Sequence, residues 1–457
     1  MGWQTFAEII NAQTGFYTFS DKVYDFVVPR GSYLSNDPNS RILLLLDGHS
    51  MIEPFGYFNG HLASVDVQAI NRVEIIMGPG SAIYGSNAMY AVINVITKTQ
   101  QSKHKRNSFS IVGGTDEFRR TTINFKKGFD SGVFFDLNTS WLNDFESPLY
   151  IPEYDNISYQ DSGNVSGRFN QERLSNLYLK LEYKDFYLRL YHNQRSKQVP
   201  TGIYGGPIND DRTKFQDRNQ FVELGFTRGL SENSEIKGRV YLDKYQFKGR
   251  FAYIPDPDWI LGPPYETEFN RIDNHLFGGE LLYQKPWQED LKTILGLEFR
   301  DYQEVDFIYV SENDPQNWLS EVFKIDSKER AVSAFISQEY RPAENWIVEG
   351  GIHYDHYRSV GNRVSLRVAS NYHMSGQTSI KSQIAQAFRA PNTWELNGGF
   401  YLTGNSHLEA ETLDSYEVML EHTFSDNWYL RSALFWNKSD KTIGQDDQGV
   451  QFTNLAG

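Results

Sequence analysis

Histidine and acidic side chains are the residues of this sequence that could bind a metal ion or catalyse hydrolysis. His353 and His356 lie three residues apart in a segment predicted to be a strand, so they face opposite sides of it and cannot share a metal. No His-Glu-x-x-His motif occurs, and the chain contains no cysteine. We therefore expect no catalytic site, no metal centre and no cofactor.

A glycine-rich turn offers another kind of chemistry, the binding of phosphate by backbone amides. Residues 72–77 have the pattern of a strand, and Gly78, Pro79 and Gly80 follow it directly. Glycine permits a positive φ and close backbone approach, whereas proline stiffens the turn. A phosphate-binding loop would continue with Gly-Lys-Ser or Gly-Lys-Thr, and this sequence does not. The turn therefore does not predict a nucleotide site.

The composition excludes some classes of protein. The chain has 457 residues and a formal net charge of −14, which argues against nucleic-acid binding, because such proteins usually present a basic surface. Its mean hydropathy is −0.54, and no apolar run approaches the roughly 20 residues of a membrane helix. A hydropathy scan therefore predicts a soluble protein. A transmembrane β-barrel escapes such a scan, because only alternate residues of each strand face lipid.

The first hundred residues have a mixed α/β pattern. Residues 5–12 have the spacing of a short helix, and residues 65–71 are also helix-like. Residues 41–47 and 91–98 are rich in aliphatic side chains and predict buried strands. Residues 100–107 are polar and basic, which is typical of a linker.

The remainder of the chain consists of long alternating strands. In residues 345–357, Val348 and Ile352 lie on one face, and Glu349 and His353 lie on the other. Each such run has about 10 residues, the length that crosses a bilayer at a tilt. Strands of globular proteins are usually shorter, with about 5–6 residues.

The connections between these strands alternate between short and long. The short ones are residues 128–132, 184–185, 229–234, 285–290, 341–345, 373–377 and 425–427. The long ones are residues 143–176, 196–216, 247–270, 303–326 and 389–413. This pattern favours an outer-membrane barrel with short periplasmic turns and long extracellular loops. A soluble β-sandwich or propeller is the alternative, although we find no propeller repeat of about 40–50 residues.

Residues 72–98 carry a resemblance to a known family. They read RVEIIMGPGSAIYGSNAMYAVINVITK. This stretch closely resembles the end of the plug domain of TonB-dependent receptors, which typically reads Val-Glu-Val-Ile-Arg-Gly-Pro, then Leu-Tyr-Gly-Asn-Ala, then Gly-Val-Ile-Asn-Ile-Ile-Thr-Lys. The residues that match this plug motif are Gly78, Pro79, Gly80, Tyr84, Gly85, Asn87 and Asn94. The sequence departs from the pattern at Met77, where arginine is usual, and at Ala91, where glycine is usual.

Other segments resemble the same family, in the same order. They are Arg30-Gly31, residues 41–48, Phe388-Arg389-Ala390-Pro391, residues 408–412 and Tyr416-Glu417. In the family, plug arginines pair with barrel glutamates and hold the plug in the lumen. The resemblance therefore implies a plug–barrel latch between Arg30 and Glu417. Met77 cannot form the second pair of such a latch.

The resemblance implies a mainly β fold: a transmembrane antiparallel β-barrel with a small α/β plug domain in its lumen. Residues 1–100 correspond to the plug and residues 101–457 to the barrel. Family barrels have about 22 strands, and about fifteen are present here, so we expect several strands beyond the C-terminal end. We also expect about 40–60 residues ahead of residue 1, including a signal peptide and the TonB box, by comparison with barrels of this type.

The implied function is active import of a scarce solute, such as an iron–siderophore or a corrinoid, across the outer membrane of a Gram-negative bacterium. The implied partners are TonB with its inner-membrane complex, the metal-chelate or corrinoid ligand and outer-membrane lipid; we expect a monomer. One alternative is a surface receptor, an adhesin or a signalling receptor on the same scaffold. Another is a soluble β-rich hydrolase or lectin, which would need no detergent.

Ligand contacts are implied at the apical loops of the plug and at the long barrel loops. The candidate ligand-binding residues are Tyr33, Asn36, Asn39, His49, Phe55, Tyr57, Phe58 and Trp259. Exposed aromatic rings suit the faces of siderophores and corrinoids. The same rings could instead pack against the barrel wall. The sequence does not identify the solute, because specificity lies in loops.

Overall fold

The computed structural model of this chain describes residues 2–34, 37–52, 65–98, 107–155, 162–203, 206–231, 233–252, 267–311, 321–399, 402–446 and 448–455. The N-terminal region is a small α/β domain, the plug. Its elements are α1 (Phe6–Asn11), β1 (Phe16–Ser20), β2 (Asp25–Pro29), β3 (Ile42–Leu46), β4 (His49–Ser50), the 3-10 turn Val67–Ala69, β5 (Ile70–Met77), α2 (Ser81–Tyr84) and β6 (Ala91–Thr97).

Local sequence signals explain the start of the plug. Thr5 and Glu8 form a reciprocal capping box, in which the Thr5 hydroxyl accepts from the backbone N–H of Glu8. The helix α1 begins there and buries its apolar face, as its spacing predicts. The four-stranded sheet has the order β4-β3-β6-β5, with β3 and β6 parallel. Its aliphatic side chains, including Ile42, Leu44 and Ile93, are buried in one core.

The second region is a fifteen-stranded antiparallel sheet, which we call the wall. Its strands are β7 (Ser108–Gly113), β8 (Arg119–Gly128), β9 (Val133–Phe145), β12 (Gln171–Tyr183), β13 (Phe186–Gln198), β14 (Lys214–Ser231), β15 (Ser234–Ala252), β16 (Thr267–Gln288), β17 (Leu291–Ser311), β18 (Glu321–Ala343), β19 (Trp346–Tyr357), β20 (Gly361–His373), β21 (Thr378–Arg389), β22 (Glu411–Ser425) and β23 (Trp428–Asp440). Each strand pairs with the next along the chain, from β7 at one edge to β23 at the other. The predicted mainly β fold and strand number are confirmed.

The connections of the wall contain the remaining elements. They are the hairpin of β10 (Leu149–Tyr150) and β11 (Asn164–Val165), the 3-10 turns Pro152–Tyr154 and Gly167–Asn170, α3 (Thr393–Asn397) and the hairpin of β24 (Ile443–Gln445) and β25 (Phe452–Asn454). All of them lie at the end of the wall that has the long connections, which we call the outer end. The opposite end, with the tight turns, is the inner end.

Two predicted long connections are shorter than expected. The prediction of residues 247–270 and 303–326 as connections is wrong at their borders, because β15 continues to Ala252, β16 begins at Thr267, β17 continues to Ser311 and β18 begins at Glu321. Polar residues interrupt the alternation of apolar and polar side chains in these segments. The strand pattern in the sequence therefore ends before the backbone pairing does. Residues 65–71, which have a helix-like sequence pattern, contain the 3-10 turn Val67–Ala69 and the first residues of β5.

The wall has apolar residues outside and polar residues inside. On β14, Val222 and Leu224 point outwards and are about half exposed, whereas Asp217, Asn219 and Glu223 are buried. Exposed aromatic side chains gather at the inner end: Phe129, Tyr183, Phe186, Trp287, Tyr340, Trp346, Tyr372, Phe424, Trp428 and Tyr429. An apolar band with an aromatic girdle is the surface that transmembrane barrels present to lipid. Among the described residues, no helix is long and apolar enough to span a membrane.

The plug lies within the curve of the wall. Plug residues contact strands far apart in the sheet: Arg120 of β8 donates to the carbonyl oxygen of Gln4, and Glu417 of β22 accepts from Arg30. A flat sheet could not reach one small domain from so many strands, so the wall wraps around the plug. Buried charged residues such as Arg189 and Glu223 lie at this boundary, where polar inner faces of the wall meet the plug.

Candidate functional site

The glycine-rich turn shapes the outer surface of the plug. Gly78 has a φ of +85° and Gly85 a φ of +74°, values that L-residues with a side chain rarely adopt. A Cβ on Gly80 would lie 2.7 Å from Cγ2 of Val92, so only glycine fits between α2 and β6. The turn after α2 then brings Ser86 and Asn87 to the outer side of the plug, where the Ser86 hydroxyl accepts from the backbone N–H of Ala390.

A cavity of about 640 Å³ lies above this turn, at the outer end of the wall. Plug residues Ser86 and Asn87 form its floor. Wall residues from three strands and from the α3 connection surround it, among them Tyr302, Lys328, Tyr357, Arg358, Asn392 and Asn397. Aromatic rings, amides and cations around one concave space are typical of a site for a polar small molecule. We call this space the outer cavity.

A second cavity of about 740 Å³ lies on the inner side of the plug. Its lining includes Ile83 and Tyr84 of α2, and Arg189, Arg239 and Glu349 of the wall. Many of its lining groups are charged, as expected for a water-filled space. We call this space the inner cavity.

A buried ionic network connects the plug to the wall beside the outer cavity. Glu411 accepts hydrogen bonds from Nε of Arg41 at 2.9 Å and from Nε of Arg389 at 2.8 Å. Arg389 also binds Glu395 of α3 through two bonds of 2.8 Å, and Arg41 binds Asp37 at 2.8 Å. The side chains of Arg389 and Glu411 are 0% and 1% exposed, so their charges depend on one another.

The predicted contact between Arg30 and Glu417 is present. Nη1 of Arg30 donates to Oε2 of Glu417 at 3.2 Å, and Nη2 of Arg30 donates to the other carboxylate oxygen. The guanidinium also lies over the ring of Phe435, 4.4 Å from its centroid. Gln383 donates to Glu417 at 2.8 Å and to the carbonyl oxygen of Met77 at 3.3 Å. The backbone of Met77, rather than its side chain, therefore takes part in this contact.

His49 lies inside the plug–wall boundary, and its expected position on an exposed apical loop is corrected. Its side chain is 2% exposed, with Nδ1 2.9 Å from Glu223 and Nε2 3.2 Å from Asp243. Its ring stacks on Phe221 with a centroid distance of 4.0 Å. The reason for the difference is that β3 and β4 form a tight hairpin, which directs His49 towards β14 and β15.

His49 is expected to make the stability of the plug contact depend on pH. Burial alone would lower the pKa of His49, but Asp243 and Glu223 outweigh burial and raise the pKa above its ordinary value; Arg189 and Arg239, which also bind Glu223, oppose the two carboxylates. The raised pKa means that protonated His49 stabilises the fold below the unfolded pKa of about 6.5, and that this contribution is lost as the pH rises through the folded pKa.

The measurement is the thermal unfolding midpoint of wild type and His49→Gln between about pH 5 and pH 9, a span that brackets ordinary histidine titration. We expect the difference between them to be largest at the acidic end and to shrink with rising pH. His407→Gln is the control, because His407 is exposed. A difference that grows with pH would contradict the assignment.

Asn39 and Tyr33 also have structural partners. Asn39 is 2% exposed. Its amide oxygen accepts from the backbone N–H of Val27 at 3.0 Å, and its amide nitrogen donates to the carbonyl oxygen of Val27 at 2.7 Å. The expectation that Asn39 reaches a ligand is therefore corrected, because the side chain is buried and both its amide oxygen and its amide nitrogen bond to the backbone. Tyr33 is 36% exposed and packs edge-on against Phe19 and Phe26 on the β1–β2 hairpin. Asn36, Phe55, Tyr57, Phe58 and Trp259 lie outside the described residues.

The remaining plug-motif residues have structural or cavity-lining positions. Asn94 accepts from the backbone N–H of Gly48 and donates to Glu74, which ties β3, β5 and β6 together. Asn87 has a φ of +72° and donates to the carbonyl oxygen of Ser40 at 2.7 Å. Pro79 is buried between Gly78 and Gly80, and Tyr84 lines the inner cavity.

The sequence indicated only part of the lining of the outer cavity. Tyr302, Tyr357 and Asn397 lie in strands or connections with no distinctive motif, whereas Ser86, Asn87, Ala390 and Pro391 lie in segments that resemble the family. Among the described residues, no group of three or more histidine, aspartate or glutamate side chains is arranged to hold a metal ion.

Two family models match the chain. The model described as the TonB-dependent Receptor Plug Domain matches residues 2–92. The model described as TonB dependent receptor-like, beta-barrel, matches residues 101–457, which is most of the chain.

Individual proteins match over much of the chain at low identity. The iron-regulated outer membrane virulence protein of Vibrio cholerae is 24% identical over 387 residues, which cover 81% of this chain and 53% of that protein. The ferrienterobactin receptor of Escherichia coli is 23% identical over 451 residues, covering 83% and 57%. The chain therefore spans about half the length of these curated relatives. The solved structure of the copper transporter OprC superposes with a TM-score of 0.75 at 14% identity, over 99% of this chain and 72% of that one, which shows a shared fold.

Proposed function

This chain belongs to the TonB-dependent receptor family, and on that premise we propose that it imports a scarce solute across the outer membrane of a Gram-negative bacterium. The observation that carries the proposal is the outer cavity, which is bounded by the plug below and by the wall around it. A solute bound there is separated from the inner end by the plug alone. Import then requires that the plug move, and TonB supplies the work for this movement.

The placement in the membrane rests on the outer surface of the wall. Family members are outer-membrane proteins, and the apolar band with its aromatic girdle suits insertion into lipid. Residues 1–100 serve as the plug and residues 101–457 as the barrel, as the sequence predicts, in a monomer. We propose binding and passage of the solute without bond-making chemistry.

The size and lining of the outer cavity favour a compact metal chelate or a corrinoid as the solute. Lys328 and Arg358 line the cavity together with one carboxylate, Glu329, and among the described residues neither cation has an ion-pair partner. The whole chain carries a net charge of −14, so two unpaired cations at one cavity are an exception to its average character. An anionic chelate, or a ligand with a phosphate group, would neutralise them.

Uptake by intact cells tests this function. The receptor is produced in a strain without its own receptors for the probes, in the presence and absence of TonB, and accumulation of ferric enterobactin, cyanocobalamin and copper is measured. We expect one probe to accumulate only where both the receptor and TonB are present. Binding of a probe without TonB-dependent accumulation would favour a surface receptor instead. If no probe binds and none accumulates, the proposal is contradicted.

A further inference from the structure

The outer and inner cavities lie against the same three strands of the wall. Tyr302 of β17, Glu329 of β18 and Tyr357 of β19 line the outer cavity. Ile294 of β17, Phe335 and Ser337 of β18 and Glu349 of β19 line the inner cavity. On the plug side, the outer cavity reaches Ser86 and Asn87, and the inner cavity reaches Ile83 and Tyr84.

The two cavities are therefore separated by a short piece of plug, residues 83–87, which we call the partition. The partition touches the wall closely at Gly85, where a Cβ would lie 3.3 Å from Oδ1 of Asp355 and 3.5 Å from Nε2 of His353. Gly85 has no side chain, so the contact is made by its backbone. Movement of these five residues away from the wall would join the two cavities.

The partition faces strands of the wall to which the plug is not bonded within the described residues. Elsewhere, polar bonds cross the boundary: Tyr178 to Asp47 and Arg189 to the carbonyl oxygen of Asp47, and Arg30 to Glu417 on the far side. Within the described part of the chain, no hydrogen bond or ion pair joins the plug to β17, β18 or β19. The partition itself is bonded to the end of β21, through Ser86 and Asn87.

The wall behind the partition carries buried polar groups without partners. Two rows of paired residues cross it between the cavities: Glu298, Ser333 and Asp355 in one, and Gly296, Phe335 and His353 in the other. His353 and Asp355 are each 1% exposed, yet both ring nitrogens of His353 and Oδ2 of Asp355 lack a hydrogen-bond partner in the described structure. Nε2 of His353 lies 3.3 Å from Asp355 without hydrogen-bond geometry.

Buried polar groups are normally hydrogen-bonded, and an exception in a native structure calls for an explanation. Polar groups that become exposed when the partition moves, and that then meet water or a passing polar solute, account for the exception. The two cavities and the unbonded boundary indicate the same strands, β17–β19, and His353 and Asp355 are among several wall residues with unpartnered buried polar atoms.

We propose that the solute passes between the partition and strands β17–β19, past His353 and Asp355, while the rest of the plug stays bound to β12–β15. This inference rests on the proposed import function and adds a route to it. It makes the opening local, so the plug sheet remains folded during passage.

A disulfide tether across the boundary tests the route. A Cβ built on Gly351 of β19 lies 3.8 Å from Cβ of Ala82, which is the usual separation in a disulfide. The chain has no cysteine, so Ala82→Cys with Gly351→Cys forms a unique pair. In cells, we expect the oxidised pair to bind the probe that wild type imports but to lose at least about tenfold in uptake, and reduction to restore uptake.

The matched control tethers the opposite side of the plug. Val23 of the β1–β2 turn and Val199 of the wall are buried in one apolar cluster, and cysteines at both positions are joined by a short bifunctional thiol reagent. We expect this tether to leave uptake near the wild-type rate. Loss of uptake with both tethers would show that the whole plug must leave and would overturn the route, as would uptake that persists through the Ala82–Gly351 tether.

A second measurement does not depend on tether formation. Single cysteines at Ala82, beside the route, and at Ala91, in the plug sheet, are buried at 1% and 0% exposure. During uptake, we expect a membrane-impermeant maleimide to label Ala82→Cys and to leave Ala91→Cys unlabelled. Equal labelling, or none at either position while a probe accumulates, overturns the route but not the import function. If no probe accumulates, the import function fails, and the route fails with it.

Discussion

Glu411→Gln is expected to destabilise the folded receptor by about 3–5 kcal/mol, the usual cost of removing one partner of a buried ion pair. Glu411 is 1% exposed and binds both Arg41 and Arg389. It also accepts from the backbone N–H of Ile443, which belongs to the outer hairpin of β24 and β25. Glutamine keeps the shape of the side chain but removes its negative charge. The buried guanidinium groups of Arg41 and Arg389 then lose the carboxylate that they share.

The measurement is the unfolding midpoint of the detergent-solubilised receptor, followed by tryptophan fluorescence. Glu409→Gln is the matched control, because Glu409 lies two residues away, is 56% exposed and pairs with exposed Lys441. Surface pairs contribute little, so we expect its effect to be several-fold smaller. Equal midpoints for the two variants would contradict the role given to the ionic network.

The contact between Arg30 and Glu417 is expected to show strong energetic coupling. Their side chains are 9% and 5% exposed, so either charge alone would be left in a poorly solvated position. We expect Arg30→Met and Glu417→Gln each to lower stability by about 3–5 kcal/mol, the range for removing one partner of a buried charged pair, and the double variant to lose less than their sum by about 0.5–3 kcal/mol.

A double-mutant cycle on the unfolding free energies measures this coupling. Arg72→Met with Glu74→Gln is the control cycle, because that pair lies within the plug and is 39% and 47% exposed. We expect little coupling there. Additive effects at Arg30 and Glu417 would show that the two residues lie close together without acting as a latch.

The fold was predictable from the sequence because both of its signals are local. Alternation along each strand needs only the two-residue period of β structure, and the capping box of α1 lies within four residues of chain. The strand ends were harder to predict. Backbone pairing continues into β15–β18 beyond the point where apolar alternation stops, because the pairing does not require apolar side chains.

The candidate site was predictable only where a resemblance supplied the pairing. Arg30 and Glu417 are 387 positions apart, and Arg41 and Glu411 are 370 apart, so no spacing rule joins them. The resemblance gave the first pair and not the second. His49 and Asn39 illustrate the opposite error: both have side chains that suit ligand contact, but burial and partner groups, which are properties of the fold, give them structural positions.

Filling the outer cavity is the most direct test of the claim that solute binds there before import. Ser359 lines the cavity from the short outer turn between β19 and β20, and Thr115 lies in the short outer turn between β7 and β8, away from it. Binding of the imported probe to whole cells is measured for Ser359→Trp and Thr115→Trp at equal surface abundance. We expect Ser359→Trp to weaken binding at least about tenfold and Thr115→Trp to match wild type. Unchanged affinity in Ser359→Trp would contradict the claim.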